Sequence, residues 1–290
     1  MSFSLVVLAG GLGSRFNGKK QVEGIGPNGE LLMEYSIYDA IRTGCSKVIV
    51  LSNHYCIPLL EKRLHYLKNE VELAFVNQYE FDPDYPHYRK RPWGTGHAVL
   101  SCKDHVTNPF LLINADDFYG AQSYDKAKEL LINMHSDQYG LVPFELGKTL
   151  SSHGGVSRGL CRVQDDFLME VQEYVNIERE GDSAFHTTSN TYIDMSCLVS
   201  MNLWILRPSI FDILEISFEE FYQNNKGDDQ IEFFLPEVIN RLIRNERALI
   251  EVSKTESDWF GMTYAEDLNL CKEQLKNEIN NGNYPYQLRR

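Results

Sequence analysis

Positive charge is scarce in this chain. Across 290 residues, 28 Lys and Arg stand against 41 Asp and Glu, a formal net charge of −13. That balance argues against a general nucleic-acid surface and against binding to an anionic membrane, so a polyanionic ligand must find a local basic pocket. Cysteine is present but unorganised. Cys45, Cys56, Cys102, Cys161, Cys197 and Cys271 show no Cys-x-x-Cys spacing, which indicates neither a zinc site nor a disulfide framework. No apolar run approaches the roughly 20 residues of a membrane span, and the N-terminal apolar segment lacks the basic start and length of a signal peptide. The expectation is a cytoplasmic protein with no membrane and no nucleic-acid partner. There is also no internal repeat, no hexapeptide β-helix pattern, no low-complexity segment and no Pro/Gly/Ser linker.

What is present is a core. With 43% apolar and 12% aromatic residues, the chain can bury one sizeable interior. Strand-like runs recur at Leu5 to Leu8, Lys47 to Leu51, Glu72 to Val76, Phe110 to Ile113 and Tyr139 to Val142. Helical spacing fills Leu31 to Thr43, which stops at Gly44, and then Ile57 to Leu67 and Tyr124 to His135. Strands alternating with helices imply right-handed βαβ units and a mostly parallel sheet. From Gly155 the pattern changes: Gly155 to Val163, Phe167 to Tyr174 and Leu198 to Leu206 read as antiparallel strands, followed by helices at Ile210 to Phe221 and Leu235 to Arg244. The expected fold is therefore α/β and Rossmann-like, a mostly parallel mixed sheet flanked by helices with an antiparallel elaboration. One domain over 1–290 is expected, with a nucleotide-binding part at 1–150 and an acceptor-binding and closing part at 151–290.

The richest chemistry lies at the start. Val6 to Ala9 form a non-alternating apolar run, as a strand covered on both faces would, and Gly10-Gly11-Leu12-Gly13-Ser14-Arg15 follows at once. Glycines at the carboxyl end of a parallel strand let backbone N–H groups approach a phosphate, and Arg15, Lys19 and Lys20 add cations. The dinucleotide fingerprint fails because Phe16 stands where its third glycine belongs. The Walker loop fails because Lys20 replaces its magnesium-binding Ser or Thr. A second basic cluster, Arg89-Lys90-Arg91, precedes Trp93-Gly94-Thr95-Gly96. Leu111-Leu112-Ile113-Asn114-Ala115-Asp116-Asp117 places two carboxylates directly after a buried strand, which suits a hard cation such as Mg²⁺ or, in the plainer reading, a turn that caps the next helix.

Leu8-Ala9-Gly10-Gly11-Leu12-Gly13-Ser14-Arg15 with Lys20 close behind resembles the signature of the sugar-phosphate nucleotidyltransferases, and Asn114-Ala115-Asp116-Asp117 resembles their metal aspartate motif. The resemblance continues in order through Gln78, the Gly94-Thr95-Gly96 loop, Ser157-Arg158-Gly159-Leu160, Val171-Gln172-Glu173-Tyr174, Met201-Asn202-Leu203-Trp204 and Asp258-Trp259-Phe260-Gly261. It implies the nucleotide-diphospho-sugar transferase type of fold. It also implies Mg²⁺-dependent transfer of a nucleoside monophosphate from a triphosphate (UTP, dTTP or CTP) to a phosphorylated small molecule, a sugar 1-phosphate first among them, with release of pyrophosphate. On that resemblance Arg15, Lys20 and Asp116 are catalytic. Leu8, Ala9, Gly10, Gly11, Gly13, Gln78, Gly94, Thr95, Gly96 and Asp117 bind the nucleotide, and Gly159, Glu173 and Asn202 bind the acceptor. Asp116 holds the metal, with Asp258 as the candidate second ligand because Gly261 stands where an aspartate is expected; Asp267 is the other carboxylate nearby and reads more simply as a helix start. Tyr174 stands where many members carry a lysine that touches the acceptor phosphate. A nucleotide-sugar-dependent glycosyltransferase and a non-catalytic nucleotide-binding protein remain alternatives, and homo-oligomerisation is left open.

Overall fold

The computed structural model describes residues 2–10, 23–82, 91–228, 230–262, 264 and 266–288. The first half alternates strands and helices: β1 (Phe3–Leu8), α1 (Leu32–Thr43), β2 (Cys45–Ser52), α2 (Ile57–Leu64), β3 (Glu72–Asn77), α3 (Thr95–Leu100), β4 (Phe110–Asn114), β5 (Asp117–Phe118), α4 (Ala121–Asn133), β6 (Tyr139–Leu141) and β7 (Phe144–Glu145). The second is strand-rich: β8 (Val156–Gln164), β9 (Phe167–Glu180), β10 (Ser183–His186), β11 (Thr191–Ile193), β12 (Leu198–Ser200) and β13 (Trp204–Leu206). It closes with α5 (Ile210–Asn224), α6 (Leu235–Arg244), β14 (Ile250–Val252), β15 (Phe260–Gly261) and α7 (Asp267–Asn280).

One mixed sheet runs in the order β3-β2-β1-β4-β13-β6-β14-β9-β8-β12-β7, and β10 and β11 extend from β9. The first four strands are parallel, as the alternating pattern predicts. β13 is antiparallel to both β4 and β6, so the later part of the chain is threaded between strands of the earlier part. Successive residues of β1 serve opposite faces. Leu5 and Val7 join one buried cluster with Ile37 and Leu60, and Val6 joins the other with Val99 and Trp204. Both faces are thus covered, which is why the strand reads as an unbroken apolar run.

Helix α1 starts where the Glu34 carboxylate accepts the Leu31 N–H at 2.6 Å and stops at Gly44, whose φ of +110° is a left-handed cap. Deep on that helix, Asp39 accepts a hydrogen bond from Tyr284 of the C-terminal segment, with Arg42 3.8 Å away. Burial pushes the Asp39 carboxyl up to about 7; the Tyr284 hydrogen bond and Arg42 oppose that, while Asp125 and Glu278 add to it. The folded chain therefore holds a proton that the unfolded chain releases near the ordinary carboxyl value, and this group's contribution to stability falls as pH rises through that interval. Asp39→Asn is expected to gain melting temperature relative to the wild type between about pH 5 and about pH 8. A constant difference across that range would show that Asp39 does not titrate there.

Candidate active site

Strands β1 and β4 end side by side, and the backbone ties their following segments together: the Ala115 N–H donates to Leu8 O at 3.0 Å. Gly10, with which the glycine-rich segment begins, and the paired aspartates therefore stand at the same sheet edge. Because β13 runs antiparallel to β4, the turn before β13 reaches that edge as well. Leu198 to Leu206, read from sequence as one strand, is broken there into β12 and β13, and Asn202 in the break has φ +63°. Asparagine tolerates this left-handed conformation better than most residues.

The break gives Asn202 its position. Its Nδ2 donates to Asn114 Oδ1 at 3.2 Å, its Oδ1 accepts from Trp204 Nε1 at 3.3 Å, and Asn114 Nδ2 donates to Asp117 Oδ2 at 2.8 Å. This chain of bonds fixes the Asp117 carboxylate from behind. Tyr119, fully buried, donates from its hydroxyl to Met201 O at 2.8 Å and accepts the Asn114 N–H at 3.0 Å. Burial, with the Asp117 charge second, raises the Tyr119 pKa well above its ordinary value, so it acts as a neutral brace.

Asp116, Asp117, Gly159, Glu173 and Asn202 all line one cavity of about 210 Å³, joined by Asn114 and Arg158. Gly159 pairs with Glu173 across β8 and β9 and with Ser200 across β12. A Cβ at 159 would sit 3.0 Å from Val171 Cγ2, so glycine there makes room for Val171, while Glu173 Oε2 at 3.7 Å is at ordinary contact distance. Glu173 stands on the accessible side of the cavity, yet its enclosing walls raise its pKa and the nearby Arg158 charge opposes them.

Two further expectations are refined. Asp258 is exposed and does not line the cavity that holds Asp116. Gly261 pairs with Asp117 across β5 and β15, and a side chain at 261 would overlap Asp117 Oδ1 and come within 2.8 Å of the Trp259 ring. The second carboxylate beside Asp116 thus comes from its own neighbour, which fills the space of the missing side chain. No cluster of three or more metal-ligating side chains exists among the described residues. Two adjacent carboxylates still fit Mg²⁺, which completes its shell with water and substrate phosphates.

On the other side of β1, a Cβ at Gly10 would overlap Gln78 Oε1, so glycine there lets the amide pack against the backbone. Gln78 is 4% exposed and its Nε2 has no hydrogen-bond partner among the described residues. A buried unpaired amide is costly and calls for an acceptor. Gly94, Thr95 and Gly96 meet the segment before α6: Gly96 N–H donates to Phe233 O at 2.9 Å, and Thr95 Oγ1 accepts from Leu235 N at 3.1 Å. Both glycines make room for Phe233, a packing role that the expectation of a base-binding loop did not foretell. Trp93 is a core aromatic against Phe218 and Tyr222. Gly11, Gly13, Arg15, Lys20, Arg89 and Lys90 lie outside the described residues.

Asn114, Arg158, Tyr119 and Trp259 were not among the expected site residues. Asn114, Arg158 and Trp259 lie inside the segments that carry the resemblance, but only the fold brings Arg158 and Trp259 together, the guanidinium 4.9 Å from the Trp259 ring centre.

No protein-family model matches the chain, and no curated protein matches it by sequence. Solved structures do. A UDP-glucose pyrophosphorylase in complex with UDP-glucose aligns with a TM-score of 0.62 at 18% identity, over 96% of this chain and all of that one. A protein assigned as a glucose-1-phosphate thymidylyltransferase from Bacillus anthracis, in complex with sucrose, aligns with a TM-score of 0.65 at 11% identity. The inositol-1-phosphate CTP transferase from T. maritima aligns with a TM-score of 0.63 at 16% identity, and both alignments cover 96% of each chain. The chain therefore has the α/β fold that these nucleotidyltransferases share, over nearly its whole length.

Proposed function

We propose that this protein is a nucleotidyltransferase of the EC 2.7.7 kind, joining a nucleoside monophosphate from a triphosphate to a phosphorylated small molecule, a sugar 1-phosphate first, and releasing pyrophosphate. The observation that carries the reading is the convergence of the aspartates after β4 with Gly159, Glu173 and Asn202 in one cavity at the sheet edge where the glycine-rich segment also begins. The fold shared with the three solved transferases supports it.

In this reading an acceptor phosphate oxygen attacks the α-phosphorus in line, the bond to the bridging oxygen of the β-phosphate breaks, and pyrophosphate departs with its electron pair. The acceptor is already ionised, so no general base is needed, and catalysis rests on alignment and charge neutralisation. Asp116 with Asp117 would hold Mg²⁺, which supplies positive charge to the phosphate oxygens. Asn114 keeps Asp117 oriented, and Asn202 and Glu173 offer hydrogen bonds to acceptor hydroxyls. Gly10 onward would present backbone N–H groups to the triphosphate, Arg15 would meet the leaving pyrophosphate and Lys20 the α-phosphoryl oxygens. Gln78 would read the base edge through its unpaired amide. A cytoplasmic location belongs to the same proposal.

The test is magnesium-dependent pyrophosphate release, with each nucleoside triphosphate offered against sugar 1-phosphates and choline phosphate. Release that requires both substrates establishes the transferase; triphosphate binding without release from any pair rejects it. Within the same assay Gln78→Leu is expected to raise the triphosphate KM by about tenfold, while melting temperature holds or rises because an unpaired buried amide is removed. An unchanged triphosphate KM would remove Gln78 from the base site.

A further inference from the structure

Arg158 is 7% exposed, an unusual depth for a guanidinium. Its Nε donates to Thr149 Oγ1 at 3.1 Å, Nη1 donates to Ser157 O at 2.8 Å, and Nη2 donates to Thr149 O. All three acceptors are neutral. No carboxylate oxygen lies within the 4.0 Å of an ion pair among the described residues; Asp117, Glu173 and Asp267 act on it only from farther away. A guanidinium carries five N–H donors, so two remain beyond those three bonds. One face is spent on the Trp259 ring. What is left is a buried positive charge with two forked donors in the wall of the cavity that holds Asp116 and Glu173.

Bracing the turn at Thr149 accounts for three of the donors. It does not account for the charge, because a buried ion without a close counter-ion is expensive unless something anionic arrives. A planar fork of this kind suits phosphoryl oxygens. Burial lowers the Arg158 pKa to about 10, which still leaves it charged at neutral pH.

Resting on the transferase reading above, we infer that Arg158 is the anion-binding group of the acceptor cavity, and that the acceptor is a phosphorylated, hydroxyl-rich molecule rather than one with a cationic head. Asn114, Asn202, Ser157 and Ser200 provide neutral partners for hydroxyls around it. Trp259 is the single aromatic among the described lining residues; Arg158 covers one face of its ring and the residue as a whole is only 8% exposed, which leaves little aromatic surface for a trimethylammonium group.

Arg158→Gln is expected to raise the acceptor KM about 10- to 100-fold with the triphosphate KM unchanged, and Arg158→Lys to recover part of that loss. Sugar 1-phosphates should be used in preference to choline phosphate. Should Arg158→Gln fail to fold, the wild type answers alone: with arginine ¹⁵N-labelled, the Arg158 Nε–H signal, assigned by its absence in Arg158→Lys, should shift on titration with inorganic phosphate and saturate, beyond a sodium chloride control of equal ionic strength. An active enzyme whose acceptor KM ignores Arg158, preference for choline phosphate, or an Arg158 signal unmoved by phosphate would each overturn the inference and leave the transferase reading standing. Saturable phosphate binding at Arg158 without turnover from any substrate pair would instead reject the transferase reading and keep the anion site.

Discussion

Asp116→Asn is expected to lower turnover about 100-fold or more while leaving the melting temperature where it was. The substitution keeps the size of the side chain and removes its charge. Asp116 is only partly buried and belongs to none of the hydrophobic clusters, and its backbone carbonyl accepts the Met262 N–H at 3.0 Å. An asparagine retains that bond. What it forfeits is half of the carboxylate pair at the end of β4, the only described carboxylates that leave this edge side by side. Transfer between phosphates asks the protein chiefly for charge neutralisation, so a lost anchoring carboxylate falls on the rate and not on the fold. Initial rates of pyrophosphate release beside thermal melts would decide this. A variant with near wild-type turnover would take Asp116 out of the mechanism, and one that melts early would make its role structural.

Gly94→Ala should act the other way, on stability first. Gly94 sits at φ +101° and ψ 179°, a conformation that L-residues rarely adopt, and holding one there costs about 1–3 kcal/mol. Its added Cβ would come within 2.7 Å of Phe233 O and 2.9 Å of Phe233 N. Those are backbone atoms and cannot swing aside. They are also locked, because the Phe233 N–H donates to Trp93 O at 2.6 Å and Phe233 O accepts from Gly96. Overpacking of this kind adds about 1–3 kcal/mol. Together about 2–6 kcal/mol would be lost from a total stability of order 5–15 kcal/mol. Denaturant unfolding of the variant would measure it. A loss under about 0.5 kcal/mol, the scale of an ordinary surface substitution, would mean that the 93–96 loop and the segment before α6 are not held together as described.

The parallel half of the fold was legible because its signals are local. The apolar run of β1, the helical spacing of α1 and the stop at Gly44 each follow from a few consecutive residues and the chemistry of their backbone. The β10–β11 hairpin was not, since Ser183 to Ile193 is polar and half-exposed and carries weak alternation. Helix α2 was read to Leu67 but ends at Leu64, where the chain tightens into a 3₁₀ turn through Asn69. The continuous reading of Leu198 to Leu206 missed the turn at Asn202 for a different reason: no glycine or proline marks it, and the conformation is held by hydrogen bonds to Asn114 and Trp204 from outside the turn.

The site divides along the same line. By itself the sequence determined that two carboxylates follow a buried strand, that a glycine-rich basic segment follows another, and that the surface as a whole repels polyanions, because adjacency and net charge need no fold to be true. Only the tertiary structure decided that Asp117 fills the space of the side chain absent at Gly261, that Asp258 stays out of the cavity, and that Arg158, far in sequence from both basic clusters of the first half, stands in its wall beside Trp259. These are contacts between segments distant in sequence. They are set by strand order and register, above all by β13 running antiparallel beside β4, and no local pattern of residues encodes which strands become neighbours.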